Sequence, residues 1–227
     1  MTDFVAPFRD PQAVARYTDG PRRTVPGFAD LHRMTGLLLG ENAPADARVL
    51  VLGAGGGLEL KALADMHDGW TFDGVDPSQE MLSLAEQTVG AHAPRVRLHA
   101  GLIDIAPDGP FDAATCLLTL HFLQAAERLH TVREIRRRLK PGAPFVAVHL
   151  SFPQDDEERG QWLSRYAAYA VTSGIDASQM EKMRAAVGTH LPLFDPDQVE
   201  AILRDAGFSN VTLFYTAFTW RGWVAYA

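Results

Sequence analysis

The chain has a single cysteine, Cys116, among its 227 residues, so no internal disulfide braces it and it suits a reducing compartment. It also lacks an excess of positive charge. With 21 Lys and Arg against 28 Asp and Glu, the formal net charge is −7, and no overall basic field points to nucleic acid or an anionic membrane. No apolar run approaches the roughly 18 residues that a membrane span needs. The opening MTDFVAPFRDPQAVARY carries acids early and no apolar core segment, which excludes a secretory leader and makes the cytoplasm the expected location. Without secretion, the sequon Asn210-Val211-Thr212 is a chance match. The eight histidines are scattered, none at zinc-ligand spacing, so no metal site is expected. Repeats, low-complexity segments and Pro/Ser-rich linkers are missing too.

What is present is an ordinary globular composition, 47% hydrophobic and 22% charged, with short β-rich runs alternating with amphipathic stretches. The strands expected are 47–53, 70–76, 95–101, 111–120 and 144–151, and the helices between them 58–67, 77–89 and 124–140. Pro77 suits the first turn of its helix, and Pro141-Gly142 stops the third. Such alternation predicts βαβ units and a mostly parallel sheet covered by helices. After Ser151 the rhythm changes to two helices, about 155–173 and 176–188, the first beginning in a solvated acidic run. A capped helix over 195–208 and two closing strands in 211–227, turning near Thr219–Gly222, complete the chain. The expected organisation is an N-terminal helical cap, 1–44, and an α/β domain, 45–227, with a helical insert at about 152–192. Both additions belong over the carboxyl ends of the strands, where open α/β sheets bind ligands.

The densest signal is VLVLGAGGGLELKAL, residues 49–63, with Gly53, Gly55, Gly56 and Gly57 between a strand and a helix. Glycine allows a tight turn and lets a ligand lie on the backbone, and the helix N-terminus beyond offers free N–H groups. A dinucleotide fingerprint needs glycine where Leu58 stands, so the pattern favours another nucleoside ligand. Asp76 ends the second strand, where a carboxylate accepts from both ribose hydroxyls or caps the following helix. Met81 is a candidate packing surface for a base, and Leu102 or Ile103 for its apolar edge. Asp104 either bonds an amino group of the base or caps its turn, and Cys116 reads as packing.

These residues match a family. VLVLGAGGG, FDGVDPSQEML, FDAATCLLTLHFL and RRRLKPGAPFVAVHL resemble, in order and spacing, the motifs of class I S-adenosylmethionine-dependent methyltransferases, over about 45–227. The resemblance implies a Rossmann-like seven-stranded sheet with an antiparallel last strand. It implies that Gly53, Ala54 and Gly55 line the methionine part of S-adenosyl-L-methionine and that Asp76 holds the ribose; Pro77 and Met81 are expected beside them in the cofactor site. RTVPGFADLHRMTGLLL, LTLHFLQAAERLHTVREIRRRLKPGAPFV and LRDAGFSNVTLFYTAFTWRGWVAYA look like the tRNA wobble-uridine carboxymethyltransferase branch, whose members use carboxy-S-adenosyl-L-methionine and are usually dimers. That likeness puts the branch's cofactor aromatic on Phe28 and its carboxylate-binding arginine near Arg184. The chain departs from the branch at Gly101, where an acid would meet the adenine, and at Leu117, where an asparagine would stand.

Methyl transfer needs alignment and exclusion of water more than proton transfer. His121 is the candidate general base, and Tyr17 a residue reaching the substrate from the cap. Trp162, Tyr166 and Tyr169 form one aromatic stripe on the insert, read as packing or as a substrate wall. The leading expectation is an enzyme methylating a small-molecule acceptor, with a homodimer possible in the branch's manner. Its alternatives are a carboxymethyltransferase acting on tRNA, a non-catalytic binder of S-adenosylmethionine and, last, an NAD oxidoreductase.

Overall fold

A computed structural model of the protein describes Phe8, Asp10, Val14 and residues 17–227. Seven strands form one sheet in the order β3-β2-β1-β4-β5-β7-β6. They are β1 (Arg48–Leu52), β2 (Thr71–Asp76), β3 (Val96–Ala100), β4 (Ala113–Leu117), β5 (Pro144–Leu150), β6 (Ser209–Ala217) and β7 (Trp220–Tyr226). The first five are parallel to one another, and β7 runs antiparallel to both β5 and β6. The α-helices are α1 (Gly20–Thr24), α2 (Phe28–Gly40), α3 (Leu58–Met66), α4 (Gln79–Val89), α5 (Ala125–Arg138), α6 (Asp156–Thr172), α7 (Ala177–His190) and α8 (Pro196–Asp205).

Strand pleating sends alternate side chains to two cores. Val49, Val51, Val146 and Val148 join α2, α3, α4, α6 and α7 on one face. Leu50, Leu52, Phe145 and Ala147 join α5 and α8 on the other. Because every central strand is buried on both faces, these segments read as nearly continuous apolar runs. The chain leaves β1 for β2 on one side and returns to lay β4 on the other, so the sheet's switch point falls between β1 and β4.

Local chemistry sets the boundaries. Ser78, not Pro77, begins α4: its hydroxyl accepts the Met81 N–H, and Pro77 lies outside the helix. Asp195 and Gln198 cap α8 reciprocally. The β6–β7 turn falls at Phe218–Thr219, ahead of the expected position, because Gly222 is needed inside β7. A Cβ there would meet the Phe214 ring at 2.9 Å. This closing hairpin also latches the chain's beginning: Trp220 Nε1 donates to Thr24 O across 196 residues, and the Tyr215 hydroxyl donates to Pro26 O.

Candidate functional site

The glycine loop sits at the switch point. Gly53, Gly55 and Gly57 all have positive φ (76°, 49° and 79°), which an L side chain adopts only with strain. Gly53 and Ala54 donate to Val75 O, pinning the loop to β2. Two of the glycines answer to packing: a Cβ on Gly53 would fall 2.0 Å from Thr119 Oγ1, and one on Gly57 2.8 Å from the Ala85 backbone of α4. Gly55 faces the cavity instead, where a Cβ would meet the Tyr17 hydroxyl at 3.3 Å, Met81 Cε at 3.5 Å and Gly53 O at 3.7 Å. Asp76 holds the loop from the side, Oδ2 accepting from Gly55 N and Oδ1 from Ser78 N, each at 2.9 Å. Burial raises its pKa against those two hydrogen bonds.

These groups border a cavity of about 330 Å³ at the carboxyl ends of β1, β2 and β4. Of the sequence-derived candidates it gathers Tyr17, Gly53, Gly55, Asp76 and Pro77 around the loop, and Met81, Gly101, Leu102 and Leu117 farther along. Three others stand elsewhere. Ala54 turns into the core beside Gly74, whose Cβ would lie 3.1 Å from it. Phe28 is buried in α2 against His32. Arg184, on α7, lines neither this cavity nor the next and is paired with Glu181. Glu127, His130 and Thr131 also line the cavity, along one face of α5, with Asp104 opposite; Asp104 caps nothing and meets His130 Nε2 at 2.9 Å. Their spacing is a helical i, i+3, i+4 face, but only the strand order brings it to the loop.

A second cavity, about 690 Å³, adjoins the first and shares Phe8, Tyr17, Leu118 and Phe122 with it. Phe8 meets both Tyr17 and Phe122 edge-on, at 6.0 and 5.9 Å between centroids, and Leu118 takes a left-handed backbone (φ 57°) at the end of β4. Strain of that kind persists where surrounding structure over-determines it. Its walls come from Gly20–Val25 on one side and from Tyr166, Met183 and Leu191 of the helical insert on the other. Of the aromatic stripe only Tyr166 reaches it; Trp162 lies under the guanidinium groups of Arg165 and Arg221, and Tyr169 packs on Phe218.

His121 belongs to this second cavity. Burial, then the nearby Arg128, pushes its pKa down to about 3, so it stays neutral and accepts a proton poorly, a mismatch for a general base at neutral pH. Arg128 is sealed behind it, donating to Leu123 O (3.2 Å) and Pro192 O (2.9 Å) and lying 4.2 Å over the Phe194 ring. Burial lowers its pKa to about 10, still charged. Cys116 is buried and its thiol is pushed up, consistent with packing. Among the described residues no cluster of His, Cys, Asp or Glu could hold a metal, and no helix is long and apolar enough to cross a membrane.

A parallel sheet with one reversed strand, a glycine loop at its switch point and a carboxylate at the end of β2 together make up the fold of the class I S-adenosylmethionine-dependent methyltransferases, the fold to which the chain's likenesses point. Residues 49–142 match the family described as a methyltransferase domain. Among curated proteins, the chain is 28% identical to the carboxy-S-adenosyl-L-methionine synthase of Chromohalobacter salexigens, over 99% of this chain and 85% of that one. Among solved structures, it resembles human N-acetylserotonin methyltransferase in complex with its cofactor (16% identity, TM-score 0.64), covering 98% of this chain and 58% of the human one. A methyltransferase of Aquifex aeolicus matches end to end: 19% identity, TM-score 0.63, 96% of this chain and 98% of that one. The likeness to a branch that handles carboxy-S-adenosylmethionine thus returns in a related branch, named for a synthase of that compound.

The residues present fit the cofactor. Gly55 leaves a cradle that a Cβ would fill, and Asp76 borders the same space with lone pairs beyond those given to the backbone.

Proposed function

We propose that the enzyme transfers a methyl group from S-adenosylmethionine to a small-molecule acceptor held in the second cavity. The observation that carries this reading is the junction of two cavities at one collar, Phe8, Tyr17, Leu118 and Phe122. When bound, the cofactor supplies an electrophilic methyl on a positively charged sulfur. Asp76 would accept from the ribose hydroxyls, Met81, Leu102 and Ile103 would border the base, and Gly55 would face the methionine part. The rings of the collar exclude water and favour a cation. Neutral His121 orients the acceptor instead of removing its proton.

The relatives named carboxy-S-adenosyl-L-methionine synthase favour a second reading, in which this chain also handles the carboxylated compound. A carboxylate beside the sulfur needs a cation. The described residues of the first cavity instead offer Asp76, Asp104 and Glu127, with His130 already facing Asp104, and Arg184 is turned to Glu181. This supports the plain donor, and the acidic net charge supports a metabolite over tRNA. Mass spectrometry of ligand released from purified protein tests both: S-adenosylmethionine or its demethylated product is expected, and the carboxylated mass would overturn the reading. Tight cofactor binding with no methyl turnover over a broad acceptor panel would instead indicate a non-catalytic binder.

A further inference from the structure

The lining of the second cavity divides by exposure. Its exposed side chains are Asp19, Arg23, Asp176 and Gln179, near the starts of α1 and α7. Two of them are engaged, Arg23 Nη1 donating to Gly174 O at 3.3 Å and Asp176 accepting from Gln179 N at 2.9 Å. The buried ones are Thr24, Val25, His121, Leu150, Tyr166 and Trp220. Every member of that buried set is uncharged at neutral pH, and Arg128 lines neither cavity. A ligand's own charge would go uncompensated there.

The polar atoms of the buried set are nearly all spent. Thr24 Oγ1 donates to Gly20 O and Trp220 Nε1 to Thr24 O. His121 is the exception: its Nδ1 is sealed with no partner among the described residues, which leaves Nε2 as the nitrogen to meet a ligand. A neutral imidazole carries one N–H and one lone pair, and with its hydrogen on Nε2 it donates to an oxygen in the cavity. Phe122, a residue of the collar, lies 4.3 Å from the imidazole, so that oxygen sits beside the junction of the two cavities.

Aromatic rings frame the same end. Trp220 meets His121 and Tyr166 edge-on, at 5.7 and 6.5 Å between centroids, an arrangement that receives a further ring well. The oxygen must shed its proton as it is methylated. Tyr17 and Tyr166 keep theirs, pushed up to about 12 by burial first, and His121 takes none. The acceptor therefore ionises unaided, which suits a phenol, with a pKa of about 10, and not an aliphatic hydroxyl, roughly as weak an acid as water at about 16.

We infer that the acceptor is an uncharged aromatic compound methylated on a phenolic hydroxyl, with His121 donating a hydrogen bond to that oxygen. The phenol loses its proton to solvent. Its oxygen then bonds the methyl carbon as the carbon–sulfur bond breaks, and the electron pair stays on sulfur as a neutral thioether. The inference rests on the reading that the second cavity seats the acceptor.

Turnover on the whole chain with S-adenosylmethionine tests it. The panel is phenol, 2-naphthol and 2-hydroxyanthracene, each beside the hydroxymethyl, amino and carboxylate compound of the same ring, with methylated products counted by mass spectrometry. A phenol should lead by about a hundredfold, and its kcat/KM should rise about tenfold per pH unit from pH 6.5 to 8.5, as the phenolate fraction does. His121→Phe should lower kcat by about tenfold with little change in KM or in that slope, and His121→Asn, which restores an N–H, should recover part of the loss. An alcohol, amine or carboxylate in the lead, a flat pH profile, or no product from any phenol would overturn the inference, and unchanged kcat in His121→Phe would sink the hydrogen bond. Val187→Trp, which fills the second cavity, should abolish turnover while S-adenosylhomocysteine still binds. Phenol methylation that survives Val187→Trp would instead remove the reading that this cavity seats the acceptor.

Discussion

On the proposed reading, Asp76 divides one carboxylate between the fold and the ligand. Each oxygen already accepts a backbone N–H, from Gly55 and from Ser78, and only the remaining lone pairs are left for a ribose. Asp76→Ala should therefore weaken S-adenosylhomocysteine binding by about 1–3 kcal/mol, the scale of hydrogen bonds to a charged group, and lower the melting temperature as well. Asp76→Asn keeps one carbonyl acceptor, so it should recover part of the thermal loss and less of the affinity. Calorimetry and thermal melts of the two variants check this, and full affinity in Asp76→Ala would remove the ribose assignment. At this scale the sequence was most informative where chemistry is local. Gly55 and Asp76 were legible because a positive φ and a strand-end carboxylate leave marks at single positions. Ala54 and Phe28 were not, because which way a small or aromatic side chain turns depends on neighbours such as Gly74 and His32, far off in the chain.

At the scale of elements, the loop depends on the helix it opens. Arg95, just before β3, donates to Ala64 O, His67 O and Trp70 O at 2.8–2.9 Å, closing the carboxyl end of α3 that the helix itself leaves unpaired. Arg95→Ala should cost about 1.5–3 kcal/mol of stability in urea unfolding, with a smaller loss of S-adenosylhomocysteine affinity transmitted through α3. Stability unchanged within error would refute that role. Strand and helix identities could be read from periodicity, but ends could not where a distant contact decides. Ser78 takes the cap of α4, and Gly222 is claimed by Phe214, shifting the last turn. The second cavity was the least legible part, since Gly20–Val25, Leu118–Phe122 and Tyr166–Leu191 share no local pattern and meet only in the folded sheet.

For the whole molecule, pH should act through buried groups in two opposite senses. His32 and His121 are held neutral, with pKa values near 4 and 3 set first by burial, and His149 lies well below the usual range for the same reason. The unfolded chain binds more protons than the folded one below about pH 6.5, so these histidines erode stability as pH falls. Glu59 works the other way: its folded pKa of about 8 exceeds the unfolded value of 4.5, and stability drains as pH rises between the two. Each group contributes up to about 1.4 kcal/mol per pH unit within its window. Three histidines outweigh one glutamate on the acid side, so the melting temperature should peak just below about pH 7 (where the two opposing slopes cancel) and decline towards pH 8. Glu59→Gln should remove the alkaline decline, and a melt series from pH 5 to 9 reads both limbs. A wild-type curve flat from pH 6.5 to 8 would contradict the account of Glu59.

The latch between Trp220 and Thr24 gives the molecule an order of assembly. On the ribosome, the glycine loop, Asp76 and the strands around them can emerge and pair while the closing hairpin is still unmade. The wall formed by Gly20–Val25 lacks its hydrogen bonds to the closing hairpin until Tyr215 and Trp220 have been added, nearly the whole length of the chain later. Contacts of such sequence separation close slowly. A nascent chain thus completes the glycine loop and Asp76 before the wall of the second cavity is latched in place.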